Sequence, residues 1–289
     1  MKRVLITGRT GFIGRNIIEK LKENFLVFAP SRHELNLKCL SDLKYYLQRE
    51  NIDVVVHCAN PNPVKNESLD LAETFLRDSL FIFMNLYNLS EYYEKLIYLG
   101  SGAEYDKSYP IVDVKEVSFG VSIPKDDYGL AKYVMNELAR KSKKVYNLRV
   151  FACYGPYDHS SKFITHCIQC CLREKDITIR QNCMFDYLHV DDLATIVSWM
   201  IEYNASHQDY NVASGEKVSL LNIAREVKRQ MRSKSEIKIQ IGGWNREYSA
   251  DITRLIAEYP FSNSFLTLKA GIRKQIEHEK EHFDEKASC

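Results

Sequence analysis

Five short runs of apolar, β-prone residues recur in the first half of the chain: Val4–Ile6, Leu26–Phe28, Val54–Val56, Leu96–Leu99 and Leu148–Phe151. None reads as a clean polar–apolar alternation, as expected of strands covered on both faces of a parallel sheet. Between the runs, apolar residues fall at helical 3–4 spacing. Phe12, Ile13, Ile17, Ile18 and Leu21 form one such set, Leu40, Leu43, Tyr46 and Leu47 a second, and Tyr128, Ala131, Val134, Met135 and Leu138 a third. Strand–helix–strand repetition with right-handed crossovers predicts a doubly wound α/β sheet. After Pro156 the elements become mixed and less regular. The expected division is a first domain over residues 1–155, with a return segment near 192–215, and a small mixed α/β domain from 156–191 and 216–289.

The first run leads directly into Thr7-Gly8-Arg9-Thr10-Gly11-Phe12-Ile13-Gly14 and then an amphipathic helix. In this setting Gly8 permits a tight turn, Gly11 lets a pyrophosphate approach the backbone, and Gly14 lets helix and strand pack closely. A dinucleotide's phosphates then meet the free N–H groups and the positive dipole end of the helix. The second strand ends in neutral Phe28-Ala29-Pro30-Ser31, followed by Arg32. An acidic residue there would bind ribose hydroxyls and repel a 2′-phosphate. Arg32, with Arg9 as a second cation, instead suits the 2′-phosphate, so NADP(H) is expected over NAD(H). Glu34 leaves another reading open, in which it neutralises Arg32 at the surface.

Tyr128 and Lys132 lie at i and i+4, on one helix face, with Asp126 or Asp127 available as the cap. A cation beside the phenol is expected to lower the tyrosine pKa and make Tyr128 a usable proton donor or acceptor. Lys132 can also hold the nicotinamide ribose. Ser101 follows the fourth run, at the strand end where active sites of open α/β sheets collect. A turn-capping hydroxyl is its simpler reading.

Composition mainly excludes. The 289 residues are 45% hydrophobic and carry a formal charge of +2, which rules out a disordered chain and gives no dominant basic face for nucleic acid. The longest apolar run, Leu80–Leu89, is interrupted by Asn85 and too short to span a bilayer. Glycine at position 8 interrupts any N-terminal signal region. These features predict a soluble cytoplasmic protein without a membrane partner. Eight cysteines lack a framework-like spacing. His166, Cys167, Cys170 and Cys171 invite a metal reading, but no second ligand pair exists; Ile164, Cys167, Ile168, Cys171 and Leu172 read instead as a buried helix stripe. No metal and reduced, buried thiols are expected.

Taken together, TGRTGFIG, the His57-Cys58-Ala59 stretch, LGSGAEY, YGLAK, RVFACYGP, FDYLHVDDLA and YNVASGE occur in one order from residue 4 to about 255. The sequence resembles the extended short-chain dehydrogenase/reductases of the NAD(P)-dependent nucleotide-sugar epimerase/dehydratase group. Ser31-Arg32-His33-Glu34-Leu35-Asn36-Leu37 further resembles its GDP-fucose synthase branch. The resemblance implies an NADP-binding Rossmann domain, a small C-terminal substrate domain, and Ser101, Tyr128 and Lys132 as the catalytic triad. It also implies Cys58 and Ala59 beside the cofactor, and a homodimer through the helix around Glu73–Tyr92 and the Tyr128 helix, where Phe81, Phe83 and Tyr87 would suit an interface or equally face the sheet.

Departures from the family pattern narrow the chemistry. Dehydratases carry an Asp-Glu pair after the catalytic hydroxyl, where this chain has Gly102 and Ala103. GDP-fucose synthases carry a cysteine at the position of Ala103 and a histidine at that of Phe163, His166 lying a turn further on. Hydride transfer at a single carbon survives: NADPH-dependent reduction of a nucleotide-linked 4-keto-6-deoxyhexose, with Tyr128 protonating the alkoxide. An NAD-dependent 4-epimerase and a non-catalytic NADP-binding regulator are the alternatives. Lys162, Arg180 and Arg246 are candidate contacts for a nucleotide-diphosphate sugar, alongside Ser101 and Ala103. His189 and Asp191 read as packing and capping residues.

Overall fold

Each apolar run of the first half becomes a strand, and the helical spacings between them become helices, in a computed structural model that describes residues 1–61 and 71–287. The chain begins β1 (Arg3–Thr7), α1 (Phe12–Leu21), β2 (Leu26–Phe28), α2 (Leu40–Arg49), β3 (Val54–His57), α3 (Phe75–Asn88) and β4 (Lys95–Ser101). It continues with β5 (Ile111–Val114), α4 (Asp127–Ala139), β6 (Val145–Val150), β7 (Ala152–Tyr154), α5 (Phe163–Leu172), β8 (Ile177–Asn182), β9 (Met184–His189) and α6 (Val190–Glu202). It ends with β10 (Asp209–Val212), β11 (Lys217–Ser219), α7 (Leu220–Met231), β12 (Ile237–Trp244), β13 (Tyr248–Ala250), α8 (Thr253–Glu258) and α9 (Leu268–Ala287).

Two compact units result. The first comprises Met1–Tyr109, Lys115–Val150 and Ala194–Asn211; the second comprises Pro110–Val114, Phe151–Leu193 and Val212–Cys289. The first unit is built on a six-stranded sheet in the order β10-β6-β4-β3-β1-β2. Its β1–β2, β1–β3, β3–β4 and β4–β6 pairings are parallel. Leu5, Val55, Leu96, Tyr98 and Val145 join residues of α2, α3 and α4 in one core. Val4, Ile6, Val54, Val56 and Ile97, which strand alternation sends to the other face, are fully buried too. Burial on both faces explains the unbroken apolar runs, and the doubly wound parallel fold is the one the pattern predicts.

Two expectations need correcting, and one open choice is resolved. The run through Phe151 is not one strand: β6 stops at Val150, and β7 pairs with β9 in the second unit. Residues 110–114 do not stay with the first domain, because β5 pairs with β13. Of the candidate interface residues on α3, only Phe81 is exposed; Phe83 is fully buried and packs edge-on to Tyr98 at 5.0 Å.

The second unit holds the sheet β11-β9-β13-β5, with β7 alongside β9, and a separate β8–β12 pair. Ile164, Cys167, Ile168 and Cys171 of α5 form the apolar stripe and pack with Ile223 and Val227 of α7 and Ile272 and Ile276 of α9. Among the described residues the cysteines are free thiols, and no group of three His, Cys, Asp or Glu side chains could hold a metal. Cys289 lies outside the described residues. No helix among them is long and apolar enough to cross a membrane.

Candidate active site

The strand order reverses at β1, so β2 and β3 flank it on opposite sides. Ligands of open α/β sheets bind at the carboxyl ends of the strands beside such a reversal. Here Thr7 pairs in register with His57. Thr7 Oγ1 accepts the Ala59 N–H at 3.2 Å and lies 2.8 Å from His57 Nδ1, tying the two strand ends together. Gly8 has φ +80°, and a Cβ there would lie 2.7 Å from Ala59 N. A Cβ on Gly14 would overlap the Gly8 carbonyl oxygen, with the Gly8 carbon at 2.9 Å. Gly11 differs: its Cβ position meets only the Gly8 oxygen, at 3.3 Å. The α1 N-terminus that follows has no side-chain cap and no acidic residue in its first turn. Thr10, Phe12 and Ile13 complete the turn. Open N–H donors, a free Gly11 face and no competing carboxylate fit the diphosphate of a dinucleotide.

Arg9 lies on that turn. Its Nη1 donates to Ala29 O at 3.1 Å and stands 3.6 Å from Glu34. Glu34 also accepts the Ser31 N–H at 2.6 Å, the main cause holding its carboxyl below the usual range. The geometry brings Glu34 to Arg9. Arg32 is exposed.

At the end of β4, Ser101 caps a 3-10 turn formed by Gly102, Ala103 and Glu104. Its Oγ accepts the Ala103 N–H at 3.1 Å, while Glu104 Oε1 accepts the Ser101 N–H at 3.1 Å. This is a capping box, the Ser-x-x-Glu reciprocity usual at helix starts. Asp126 Oδ1 caps α4 by accepting the Gly129 N–H at 2.9 Å. A Cβ on Gly129 would lie 2.6 Å from Ala103 O, so glycine lets α4 start directly against the turn. The Tyr128 phenol thereby comes within the influence of the Ser101 side chain. Lys132, one helical turn on, is buried and donates to Leu99 O at 2.8 Å.

The electrostatics depart from expectation. Tyr128 is 37% exposed, yet loss of hydration around its hydroxyl raises its pKa above the ordinary value. The Ser101 side chain opposes that rise, and Glu104 and Asp126 add to it. The expected lowering by Lys132 is not among the influences on the phenol, and burial is the largest of them. Lys132 itself is pushed down to about 8 by burial, with Glu104 and Cys58 opposing. Burial and then Lys132 lower His57 to about 3, so it is neutral at physiological pH; burial pushes the Cys58 thiol up to about 12.

Beneath Ser101 lies a network that the sequence reading missed. Glu104 and Arg149 are 1% and 0% exposed and form an ion pair at 2.7 Å. Asn147 Nδ2 donates to both Glu104 oxygens at 3.0 Å, while Arg149 also reaches Asp209 at 3.0 Å and Asn211 at 2.9 Å. The Ser101-x-x-Glu104 spacing was the available signal.

Other candidates are dispersed. Ala103 is buried in the turn. In the second unit, Lys162 precedes α5, Arg180 lies on β8 and Arg246 precedes β13; all three are exposed and on separate segments. His166 stands 3.5 Å from Cys170 Sγ. His189 is buried, lowered to about 4 chiefly by burial, and accepts the Asp191 N–H at 3.2 Å, a packing arrangement.

Known proteins match the chain over nearly its whole length. The chain is 23% identical to an ADP-L-glycero-D-manno-heptose-6-epimerase of Brachyspira hyodysenteriae, covering 95% of this chain and 96% of the relative. It is 26% identical to a dTDP-4-dehydro-6-deoxyglucose reductase of Escherichia coli, covering 94% and 96%. A GDP-mannoheptose C4 reductase from Campylobacter jejuni, solved with NADP bound, shares the fold with a TM-score of 0.80 at 17% identity, covering 96% of this chain and 98% of that one. The NAD dependent epimerase/dehydratase family model matches residues 4–213, and the chain belongs to that family.

Proposed function

We propose that this enzyme reduces the 4-keto group of a nucleotide-linked 6-deoxyhexose, using NADPH. The observation that carries the reading is Tyr128 set beside Ser101, with a phenol kept protonated and no carboxylate at 102 or 103. Reductases acting on related nucleotide sugars among its relatives support the same choice. Gly8, Gly11, Gly14 and the α1 N-terminus would hold the cofactor's diphosphate, with Cys58 and Ala59 beside it. Arg32 and Arg9 would meet the 2′-phosphate. Bound there, the nicotinamide supplies the hydride for C4.

The chain's own residues supply the rest. Tyr128 donates its hydroxyl proton to the oxygen at C4, which becomes the C4 hydroxyl and stays bonded to the sugar. Ser101 hydrogen-bonds the same oxygen as its negative charge develops. Lys132, charged below pH about 8, holds the ribose and stabilises the phenolate left behind. Lys162, Arg180 and Arg246 remain candidates for the substrate diphosphate, and Phe81 for a homodimer contact.

NADPH consumption with a keto-sugar nucleotide tests the reading. A reductase consumes NADPH one for one with product; an epimerase turns over without net consumption, and a regulator does neither. Tyr128→Phe should cut the rate about 100-fold or more; an unchanged rate sinks the mechanism. Arg32→Ala should weaken NADPH binding about tenfold and leave NADH binding unchanged.

A further inference from the structure

Ser101 can aim its hydroxyl at Tyr128 only if its other interactions are fixed. A serine hydroxyl offers one proton and two lone pairs. The Ala103 N–H occupies one lone pair, leaving the rest for the phenol and a substrate oxygen. The turn that delivers Ala103 is closed from below by Glu104, through the Ser101 N–H. Glu104 is in turn held by Arg149 and Asn147, both on β6, the strand paired with β4. No atom of this arrangement sits on a loose loop. Gly100 records its tightness, since a Cβ there would overlap Asn147 Oδ1 and Glu104 Oε1.

We propose that Glu104 is a positioning residue for the Ser101–Tyr128 pair, its buried carboxylate fixing the Ser101 backbone and keeping a negative charge beneath the phenol. The inference rests on Tyr128 serving as the proton donor in the reduction proposed above. The groups around it act consistently. Toward Tyr128, Glu104 and the Asp126 cap favour the protonated phenol, the Ser101 hydroxyl opposes them, and α3 contributes only the Phe75 ring. Toward Lys132, Glu104 and Cys58 favour the charged amine. Burial raises the Glu104 pKa, while the Arg149 charge and the Arg149, Asn147 and Ser101 hydrogen bonds oppose that rise and favour the carboxylate; buried Tyr98 carries no charge near neutrality. One carboxylate thus favours the proton donor and the ammonium together, the two protonation states that reduction requires.

The test uses two variants of the full chain. With ring-labelled tyrosine, the Tyr128 resonance is identified by its loss in Tyr128→Phe, and its titration midpoint is followed by NMR. Glu104→Gln should lower that midpoint by about half a pH unit or more and move the basic limb of the reduction profile the same way. An unmoved midpoint in a folded Glu104→Gln protein overturns the charge role. Glu104→Asp keeps the charge but withdraws it from the Ser101 N–H. It should leave the midpoint in place and lower kcat about tenfold, with KM for NADPH unchanged. Wild-type kcat in Glu104→Asp overturns the positioning role, and this arm decides the matter if Glu104→Gln does not fold. The NMR midpoint needs no substrate. If the wild-type protein reduces no keto sugar, the functional reading fails while the Glu104 result still stands.

Discussion

Gly11 and Gly14 sit three residues apart in one turn, yet alanine should affect them in different ways. At Gly14 the added methyl overlaps the Gly8 carbonyl, and the neighbour cannot retreat. Gly8 is held at φ +80°, and Ala59 N lies 2.7 Å from where a Cβ on Gly8 would stand. Helix propensity favours alanine within α1 by about 1 kcal/mol, while forced overlap costs about 1–3 kcal/mol and more where only backbone can yield. Gly14→Ala should therefore lose about 1–2 kcal/mol, a fall in Tm of about 2–6 °C for a chain of this size. Gly11 has an ordinary extended φ of −76° and one neighbour at 3.3 Å. Its alanine variant should stay within about 1 kcal/mol of wild type but lose at least about tenfold in NADPH affinity, because the methyl enters the space kept for the diphosphate. Thermal melts and fluorescence titration with NADPH separate the two effects. A Gly14→Ala protein that melts with wild type, or a Gly11→Ala protein that binds NADPH normally, would refute the reasoning.

Three further outcomes are expected. Arg149→Met strands Glu104 and Asp209 as buried carboxylates and should cost about 3–5 kcal/mol at pH 7; urea unfolding should show part of this recovered at pH 5, where the stranded groups take up protons. Lys95 donates to Met200 O at 2.7 Å and Tyr203 O at 2.6 Å, at the end of α6. Lys95→Met should cost about 2–3 kcal/mol, and a loss below about half a kcal/mol counts against the cap. Asp192 is raised to about 6 by burial and His189 lowered to about 4 by burial. The folded state binds more protons at Asp192 and fewer at His189, so stability falls with rising pH through about 4–6 for the first and rises through about 4–6.5 for the second. The two trends oppose each other in wild type. Asp192→Asn should expose the rise and His189→Gln the fall; parallel pH profiles for both variants would contradict the assignment.

The parallel sheet and the glycine turn were legible because their causes are local. Apolar runs such as Val54–Val56 report burial on both faces, and Gly8 and Gly14 report backbone crowding. The Ser101–Tyr128 juxtaposition was anticipated from strand-end position, but the direction of the Tyr128 shift was not. Helical spacing shows that a cation is near, and says nothing of how much water the phenol loses or that Leu99 O claims the amine. Arg149 hid in plain view. A charge inside an apolar run reads as an exception until its partners, 45 residues before and 60 after, are known. β5 was invisible for the same reason, since its partner β13 is remote in sequence and the strand spans four residues.

The chain passes between its two units five times, after Tyr109, Val114, Val150, Leu193 and Asn211. On the ribosome, β6 must wait as a bare edge until β10 emerges, long after α5, β8 and β9 have been made. A nascent chain stalled at Val150 would present an unpaired strand to its neighbours. Recombination meets the same constraint. Replacing the second unit with that of a relative requires five simultaneous junctions, so substrate range in such a chain should change by point substitution and loop exchange rather than by swapping a module.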